Sequence, residues 1–179
     1  MSSSSRPLHI DPLEKKWLKV AFALIALFVG VILYTGFFQH VHPPGGMETI
    51  DSAALHLSEE FAEDRLGVSV APDGAIKVTL VAARYGFYPR SIKVPAGRPI
   101  TFRIASADVL HGLHVPMTNL ATMVVPGYIS TVTTRFPKPG EYPLLCNEYC
   151  GMGHDHMWSQ LQVVSQEDWD ALTPSSKEP

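Results

Sequence analysis

Residues 130–146, STVTTRFPKPGEYPLLC, contain two strand-like runs joined by a turn signal, and this pattern indicates the fold class. Two β-rich runs, Ser130–Phe136 and Tyr142–Cys146, are separated by the turn-forming pair Pro139-Gly140. Threonine, valine and aromatic residues favour strands, and proline followed by glycine favours a turn. This stretch therefore predicts two short strands, the second of which ends at a cysteine.

The same pattern extends on both sides of this stretch. Residues 76–80 alternate apolar and polar side chains with a period of two, as a half-buried strand does. Turn signals at 95–97 and 126–127 divide further β-rich runs: Ser91–Val94, Ile100–Ser106, Val109–Val115 and Ser159–Val164. Many short strands with no long helix between them predict a β-sandwich or Greek-key barrel over residues 75–165.

A continuous apolar run, VAFALIALFVGVILYTGFF, occupies residues 20–38 without a charged side chain. As a helix it spans about 28 Å, which is close to the hydrocarbon thickness of a bilayer. A cleaved signal peptide is the alternative, but the run exceeds a typical signal core and no small-x-small cleavage site follows it. The run predicts a transmembrane helix over 20–38.

Positive charge gives this helix a predicted orientation. The basic residues before it are Arg6, Lys15, Lys16 and Lys19, and none follows until Arg65. Because cytoplasmic flanks are enriched in lysine and arginine, we expect a short cytoplasmic N-terminus over 1–19 and an extracytoplasmic, periplasmic remainder in a bacterial plasma membrane.

Two other segments have weaker patterns. Residues 39–74 form a linker with a predicted helix over 51–66, capped by Asp51 and ended by Gly67. Residues 166–179 are expected to form a short helix and a polar tail, since Ser165 and Asp168 have capping-box spacing. The net charge of −3 over 179 residues excludes a basic nucleic-acid binder.

The chemistry is concentrated in residues 146–157, CNEYCGMGHDHM. Its soft ligands are Cys146, Cys150, His154 and Met157, and upstream strand residues add His111 or His114. Thiolate, imidazole and thioether groups together favour copper over hard cations. Glycines within the segment let its backbone curl so that these side chains can converge.

Three alternatives use the same residues differently. A Cys146–Cys150 disulfide suits an oxidising compartment, but it closes a very small loop and leaves His154 and Met157 unexplained. Zinc accepts two cysteines and two histidines but needs no methionine. A single blue-copper ion needs only one cysteine. Two thiolates at this spacing are able to bridge two copper ions.

The segment resembles the dinuclear CuA motif of cytochrome c oxidase subunit II, C-x-[EQ]-x-C-G-x-x-H-x-x-M, at every position. Residues 108–111 resemble the upstream ligand segment of that family, and the similarity covers roughly residues 76–164. One predicted membrane helix and the sequence His111-Gly112-Leu113-His114 resemble the shorter B-family, ba-type form. The resemblance implies a cupredoxin-like fold.

The resemblance also implies a role for each ligand. Cys146 and Cys150 would bridge two coppers, with His111 and His154 as imidazole ligands and Met157 as a weak thioether ligand. Glu148 would contribute its backbone carbonyl, and in some relatives the side chain at this position also binds Mg²⁺ at the interface with subunit I. His114 is chemically equivalent to His111, and only the resemblance favours His111.

The implied function is electron transfer. The chain would accept electrons from a soluble cytochrome c type donor and pass them to the haems of subunit I, where O₂ is reduced to water. The aromatic residue that receives electrons in the family aligns best with Tyr85, for which simple packing is the alternative. A copper-containing nitric oxide reductase and a membrane-anchored copper chaperone are alternative functions. A quinol oxidase subunit lacks these ligands.

Overall fold

A computed structural model describes residues 11–38 and 48–172. The chain divides into two compact units, Met1–Gly46 and Met47–Pro179. The first ten residues, the first nine residues of the predicted linker, 39–47, and the polar tail at 173–179 lie outside the described residues.

Helix α1 forms the described part of the first unit and spans Pro12–Phe38. It begins eight residues before the predicted span because Asp11 caps it, accepting a hydrogen bond from the Leu13 amide at 2.7 Å. Proline also suits the first helical position, where no amide donor is needed. Within the described residues, α1 is the one helix that is long and apolar enough to cross a membrane.

The second unit is built from two β-sheets. The first sheet contains six strands: β1 (Glu48–Thr49), β2 (Gly67–Val70), β3 (Ile76–Ala83), β4 (Gly86–Tyr88), β6 (Pro99–Ser106) and β9 (Tyr128–Arg135). The second contains five: β5 (Ser91–Pro95), β7 (His111–His114), β8 (Ala121–Val124), β10 (Gly140–Leu145) and β11 (Trp158–Val164). Helix α2 (Gln166–Leu172) follows the last strand. The prediction of a mainly β domain after one apolar helix is confirmed.

The strand order shows how the chain passes between the two sheets that enclose the core. The first sheet runs β1-β9-β6-β3-β2 with β4 beside β3, and the second runs β5-β11-β10-β7-β8. Most pairs are antiparallel, whereas β3 pairs with β6 and β5 with β11 in parallel. The Pro139-Gly140 turn joins β9 to β10, so the chain crosses from one sheet to the other there. Apolar side chains from both sheets, including Leu80, Phe102, Phe136 and Leu161, share one buried cluster.

The helix predicted over 51–66 is wrong. Two short 3₁₀ helices, Ser52–Leu57 and Glu63–Arg65, occupy this segment instead. Asp51 does cap the first, but the Ser58 hydroxyl donates to the Leu55 carbonyl and accepts from the Phe61 amide, which ends the turn. Leu55 and Phe61 are both buried although they lie six residues apart, a spacing that one straight helix places on different faces.

Residues 48–66, here called the strap, are bound to the first sheet by charge. Arg103 of β6 donates to both carboxylate oxygens of Glu60, at 2.7 and 2.8 Å, and to Glu48 at 2.6 Å. Lys77 of β3 donates to Glu60 at 3.1 Å. The sheet face under the strap thus holds two cations opposite two carboxylates.

Candidate metal centre

The segment 146–157, here called the ligand loop, connects two neighbouring strands. β10 ends at Leu145, which pairs with Trp158 at the start of β11. The Cys146 amide donates to the Met157 carbonyl at 3.1 Å and closes the base of the loop. A one-turn 3₁₀ helix, His154–His156, lies within it. One hairpin connection therefore supplies all the predicted ligands except His111.

Cys146 lies next to the second ligand segment. Its Sγ atom is 3.9 Å from Nδ1 of His111 in β7 and 3.2 Å from the Glu148 carbonyl oxygen. His111 is completely buried. The structure thus brings one thiol, one imidazole and one backbone carbonyl together, although they come from two separate segments.

Cys150 has an equivalent set of neighbours. Its Sγ atom lies 3.6 Å from Nδ1 of His154 and 3.5 Å from the Met157 sulfur. Met157 is buried, and its amide donates to the His154 carbonyl at 3.1 Å. Each cysteine therefore has its own imidazole and its own weaker donor.

The two sulfurs face each other without a bond between them. Cys146 and Cys150 are free thiols whose Sγ atoms are 3.9 Å apart, about twice the length of a disulfide bond. The ligand atoms of His111, Cys146 and Cys150 all lie within 4.8 Å of one another, so a single ion can contact all of them. The predicted alternative of a disulfide is not the arrangement that the structure shows.

The electrostatics of the thiols fit a cation. Burial, and then the neighbouring Cys146, raise the pKa of Cys150 to about 11. Two neighbouring thiolates in a buried, poorly hydrated site repel each other unless a positive charge balances their negative charge. A soft metal ion supplies that charge, and the sulfur and imidazole donors are those that copper prefers. The residues present fit the metal group that the sequence predicts.

Asp108 orients the buried imidazole, a role that the ligand motif does not include. Its carboxylate lies 2.8 Å from Nε2 of His111 and accepts hydrogen bonds from the amide and Nε of Arg84 at 2.9 and 3.0 Å. Burial alone raises the pKa of Asp108, but hydrogen bonds from His111, Val109 and Arg84 outweigh it and lower the pKa to about 2. An acid three residues before a ligand histidine is the signal that identifies such a partner.

The alternative ligand His114, the other histidines and the predicted electron-receiving residue Tyr85 occupy distinct places. His114 is half-buried on β7 and pairs through its backbone with Leu145, while His156 is largely exposed beside Asp155. Tyr85 follows β3 and is half-buried, and its ring lies against the ligand loop. His40 and His42 lie outside the described residues.

Comparison with known proteins assigns the family. The family described as cytochrome c oxidase subunit II, periplasmic domain, matches residues 75–164. A cytochrome c oxidase subunit 2 of Thermus thermophilus is 37% identical over 153 residues, which cover 84% of this chain and 90% of that protein. The chain belongs to the cytochrome c oxidase subunit II family. A second Thermus thermophilus subunit 2 is 38% identical over 69% of this chain and 91% of its own length.

Solved structures agree with this assignment. A chain of a heme-copper terminal oxidase dimer determined by cryo-EM has a TM-score of 0.59 and 26% identity, covering 85% of this chain and 99% of that one. The periplasmic domain of subunit II of a Bradyrhizobium japonicum cytochrome oxidase has a TM-score of 0.50 at 18% identity and shows the same cupredoxin-like fold, covering 56% of this chain and 92% of that domain.

Family membership confirms several expectations at a coarse level. The chain is subunit II of a haem-copper oxidase, and copper binding and a subunit I partner are implied by that membership. One apolar N-terminal helix and a periplasmic domain indicate a single-pass membrane protein with an extracytoplasmic domain. The short B-family form is supported by the Thermus match, which covers nine tenths of its relative.

Proposed function

We propose that this chain is the electron-accepting subunit of its oxidase and that the ligand loop holds a dinuclear CuA centre. Cys146 and Cys150 would bridge the two coppers. His111 and His154 would each supply one imidazole ligand, and the Glu148 carbonyl and the Met157 thioether would be the weaker ligands. The observation that carries the proposal is the matched surroundings of the two free thiols, each with one imidazole nitrogen within 3.9 Å.

The residues around the centre suit electron transfer because hydrogen bonds and packing within the protein fix their positions. The loop base is hydrogen-bonded between Cys146 and Met157, and Asp108 fixes the His111 ring. Bound there, copper would supply reversible one-electron chemistry. A site whose ligands barely move costs little rearrangement when its charge changes, and the surrounding apolar core tunes its potential.

The direction of electron flow is part of the same proposal. Electrons would arrive from a soluble cytochrome c type donor, with Tyr85 as the receiving aromatic residue, and would leave for the haems of subunit I for reduction of O₂ to water. We further propose that residues 1–19 are cytoplasmic and that α1 contacts lipid, since Lys15, Lys16 and Lys19 precede its apolar part.

The centre is tested on the full chain purified in detergent and loaded with copper. We expect two coppers per chain and an EPR spectrum in which one unpaired electron is shared equally by two copper nuclei. A blue spectrum from one copper, or a colourless zinc-binding protein, contradicts the proposal. In the assembled oxidase, consumption of O₂ rather than NO with reduced cytochrome c separates the oxidase from a nitric oxide reductase.

A magnesium role for the Glu148 side chain is a separate proposal at the subunit interface. It is tested in the assembled complex by replacing Mg²⁺ with Mn²⁺ and comparing the wild type with Glu148→Gln. Loss of the bound Mn²⁺ signal in the variant supports the role, and an unchanged signal excludes it.

A further inference from the structure

Three unusually close backbone approaches in the second unit all occur at the metal centre. Among the glycines that the structure describes, only Gly112, Gly151 and Gly153 lie where an added Cβ would meet another atom at less than 3.0 Å. At Gly112 the neighbour is the Asn147 side chain, so the start of the ligand loop lies directly on β7. At the other two the neighbour is the ring of Tyr85.

The Tyr85 ring lies directly against the backbone of the ligand loop at Gly151 and Gly153. A Cβ on Gly153 would lie 2.5 Å from Cδ2 and 2.8 Å from Cγ of this ring, and a Cβ on Gly151 would lie 2.7 Å from its hydroxyl oxygen. Gly151 and Gly153 directly follow Cys150 and directly precede His154. The ring therefore supports the stretch of backbone from which two of the proposed ligands project.

Tyr85 is itself held by the rest of the site. It lies in the two-residue connection between β3 and β4, which Ala83 and Gly86 close as a backbone pair. The preceding residue, Arg84, donates two hydrogen bonds to Asp108, and Asp108 contacts His111. One short turn thus contacts the ligand loop directly through the Tyr85 ring and reaches His111 indirectly, through the hydrogen bonds of Arg84 to Asp108.

We infer that Tyr85 is a positioning residue for the metal centre, which holds the ligand loop in its ligating shape before metal arrives. This inference rests on the proposed copper site, and it differs from the expected role of Tyr85 as the residue that receives electrons. Ring packing alone carries the positioning role, because the Tyr85 hydroxyl makes no hydrogen bond within the described residues. Phenylalanine is therefore expected to replace it.

The first test needs no copper. The metal-free full chain in detergent is treated with iodoacetamide, and the loss of the buried thiols Cys146 and Cys150 is followed by mass spectrometry. Removing the ring allows the loop to open locally, so Tyr85→Ala is expected to be alkylated about tenfold faster than the wild type. Tyr85→Phe should match the wild type, as should Tyr88→Ala, which removes an exposed tyrosine three residues away. Equal rates in all four proteins would overturn the inference.

The second test uses the copper-loaded chain. Tyr85→Ala should lose the equal sharing of the electron between two coppers in its EPR spectrum, and Tyr85→Phe should retain it. Tyr85→Ala could instead keep a normal spectrum and a normal potential and be reduced more slowly by cytochrome c. Tyr85 would then only receive electrons, and the inference would be wrong. Absence of a dinuclear spectrum in the wild type contradicts the proposed function, and the alkylation rates still decide the positioning role.

Gly153→Ala tests the contact from the opposite side. The backbone of Gly153, with φ −100° and ψ 17°, is open to alanine, so the added methyl is opposed by the Tyr85 ring and not by strain. We expect Gly153→Ala to disturb the spectrum and raise the alkylation rate. The double variant Gly153→Ala/Tyr85→Ala should be less disturbed than the sum of the two single variants. Simple additivity would mean that the ring and the loop do not act on each other.

Discussion

The strap and the ligand loop are both irregular segments with short 3₁₀ turns, yet they are attached to the domain in different ways. Ion pairs from Arg103 and Lys77 hold the strap, together with the buried side chains of Leu55 and Phe61. In the described part of the chain, no ion pair joins the ligand loop to the sheets. Close packing holds it instead, of Asn147 on Gly112 of β7 and of the Tyr85 ring on Gly151 and Gly153.

This difference matches the different roles of the two segments, since the strap is a structural attachment and the ligand loop is the proposed binding site. The carboxylates of the strap are paired with Arg103 and Lys77 of the sheet at 2.6–3.1 Å. In the ligand loop, the cysteine sulfurs lie 3.5–3.9 Å from their imidazole and thioether neighbours, and these donor atoms are left for a metal. Holding the loop by apolar contact keeps competing charges away from its ligands.

Cys150→Ser is expected to have the largest effect, confined to the loop. A serine hydroxyl is a poor substitute for a bridging thiolate, so the variant should bind at most one copper and lose the dinuclear EPR spectrum. Metal content and EPR measure this, and Cys146→Ser should behave in the same way. A dinuclear spectrum that survives in Cys150→Ser would mean that this residue does not bridge the coppers.

Arg103→Met should affect the strap and leave the loop unchanged. Removing the guanidinium leaves Glu60 half-buried beside Lys77 alone, and we expect a loss of about 2 kcal/mol in the free energy of unfolding. Urea unfolding of the full chain measures it. Arg135→Met, at an exposed position on β9, is the control and should change stability by less than about 0.5 kcal/mol. A changed copper spectrum in Arg103→Met would show that the two segments are coupled.

Acid should weaken the strap in a way that depends on the same arginine. Burial raises the pKa of Glu60, but hydrogen bonds from Arg103 and Lys77 outweigh this and hold its pKa below the ordinary 4.5. A lowered carboxyl pKa contributes stability that is fully present above pH 4.5 and is lost as the pH falls through the folded-state value. The wild type should therefore lose more stability below this pH than Arg103→Met does. Parallel pH profiles for the two proteins would contradict the assignment.

Met157→Leu should produce the smallest change. Leucine has a similar volume and keeps the buried position filled, but it removes a weak thioether ligand. Copper should remain bound as a dinuclear centre with a shifted midpoint potential, measured by redox titration. Met152→Leu, at an exposed position of the same loop, should leave the potential unchanged. Equal potentials in all three proteins would remove Met157 from the ligand set.

The sequence predicted most of the strands, because apolar and polar side chains alternate along runs such as residues 76–80 and 100–106, and this alternation follows which side chains are buried. It predicted the set of residues that meet at the loop because their spacing matches a family motif. The prediction of one helix over 51–66 was wrong because it rested on helix-forming composition. The segment is held instead by the buried side chains of Leu55 and Phe61, which one straight helix does not bring to the same face. The support of the loop by Tyr85 depends on a contact between segments about seventy residues apart, which spacing alone does not reveal. The contact of Asp108 with His111 is local, but the family motif that predicts the ligands does not include it.

The pairing of β11 with β5 also bears on how late during synthesis and folding the metal centre can form. Residues 160–164 align with residues 91–95, so this parallel contact joins positions about seventy residues apart. Such distant pairings form slowly because a long loop must close first. Since β11 begins directly after Met157, the ligand loop is closed only once that strand has been made and paired. Copper insertion is thus expected to be a late step, performed on a domain that is already folded.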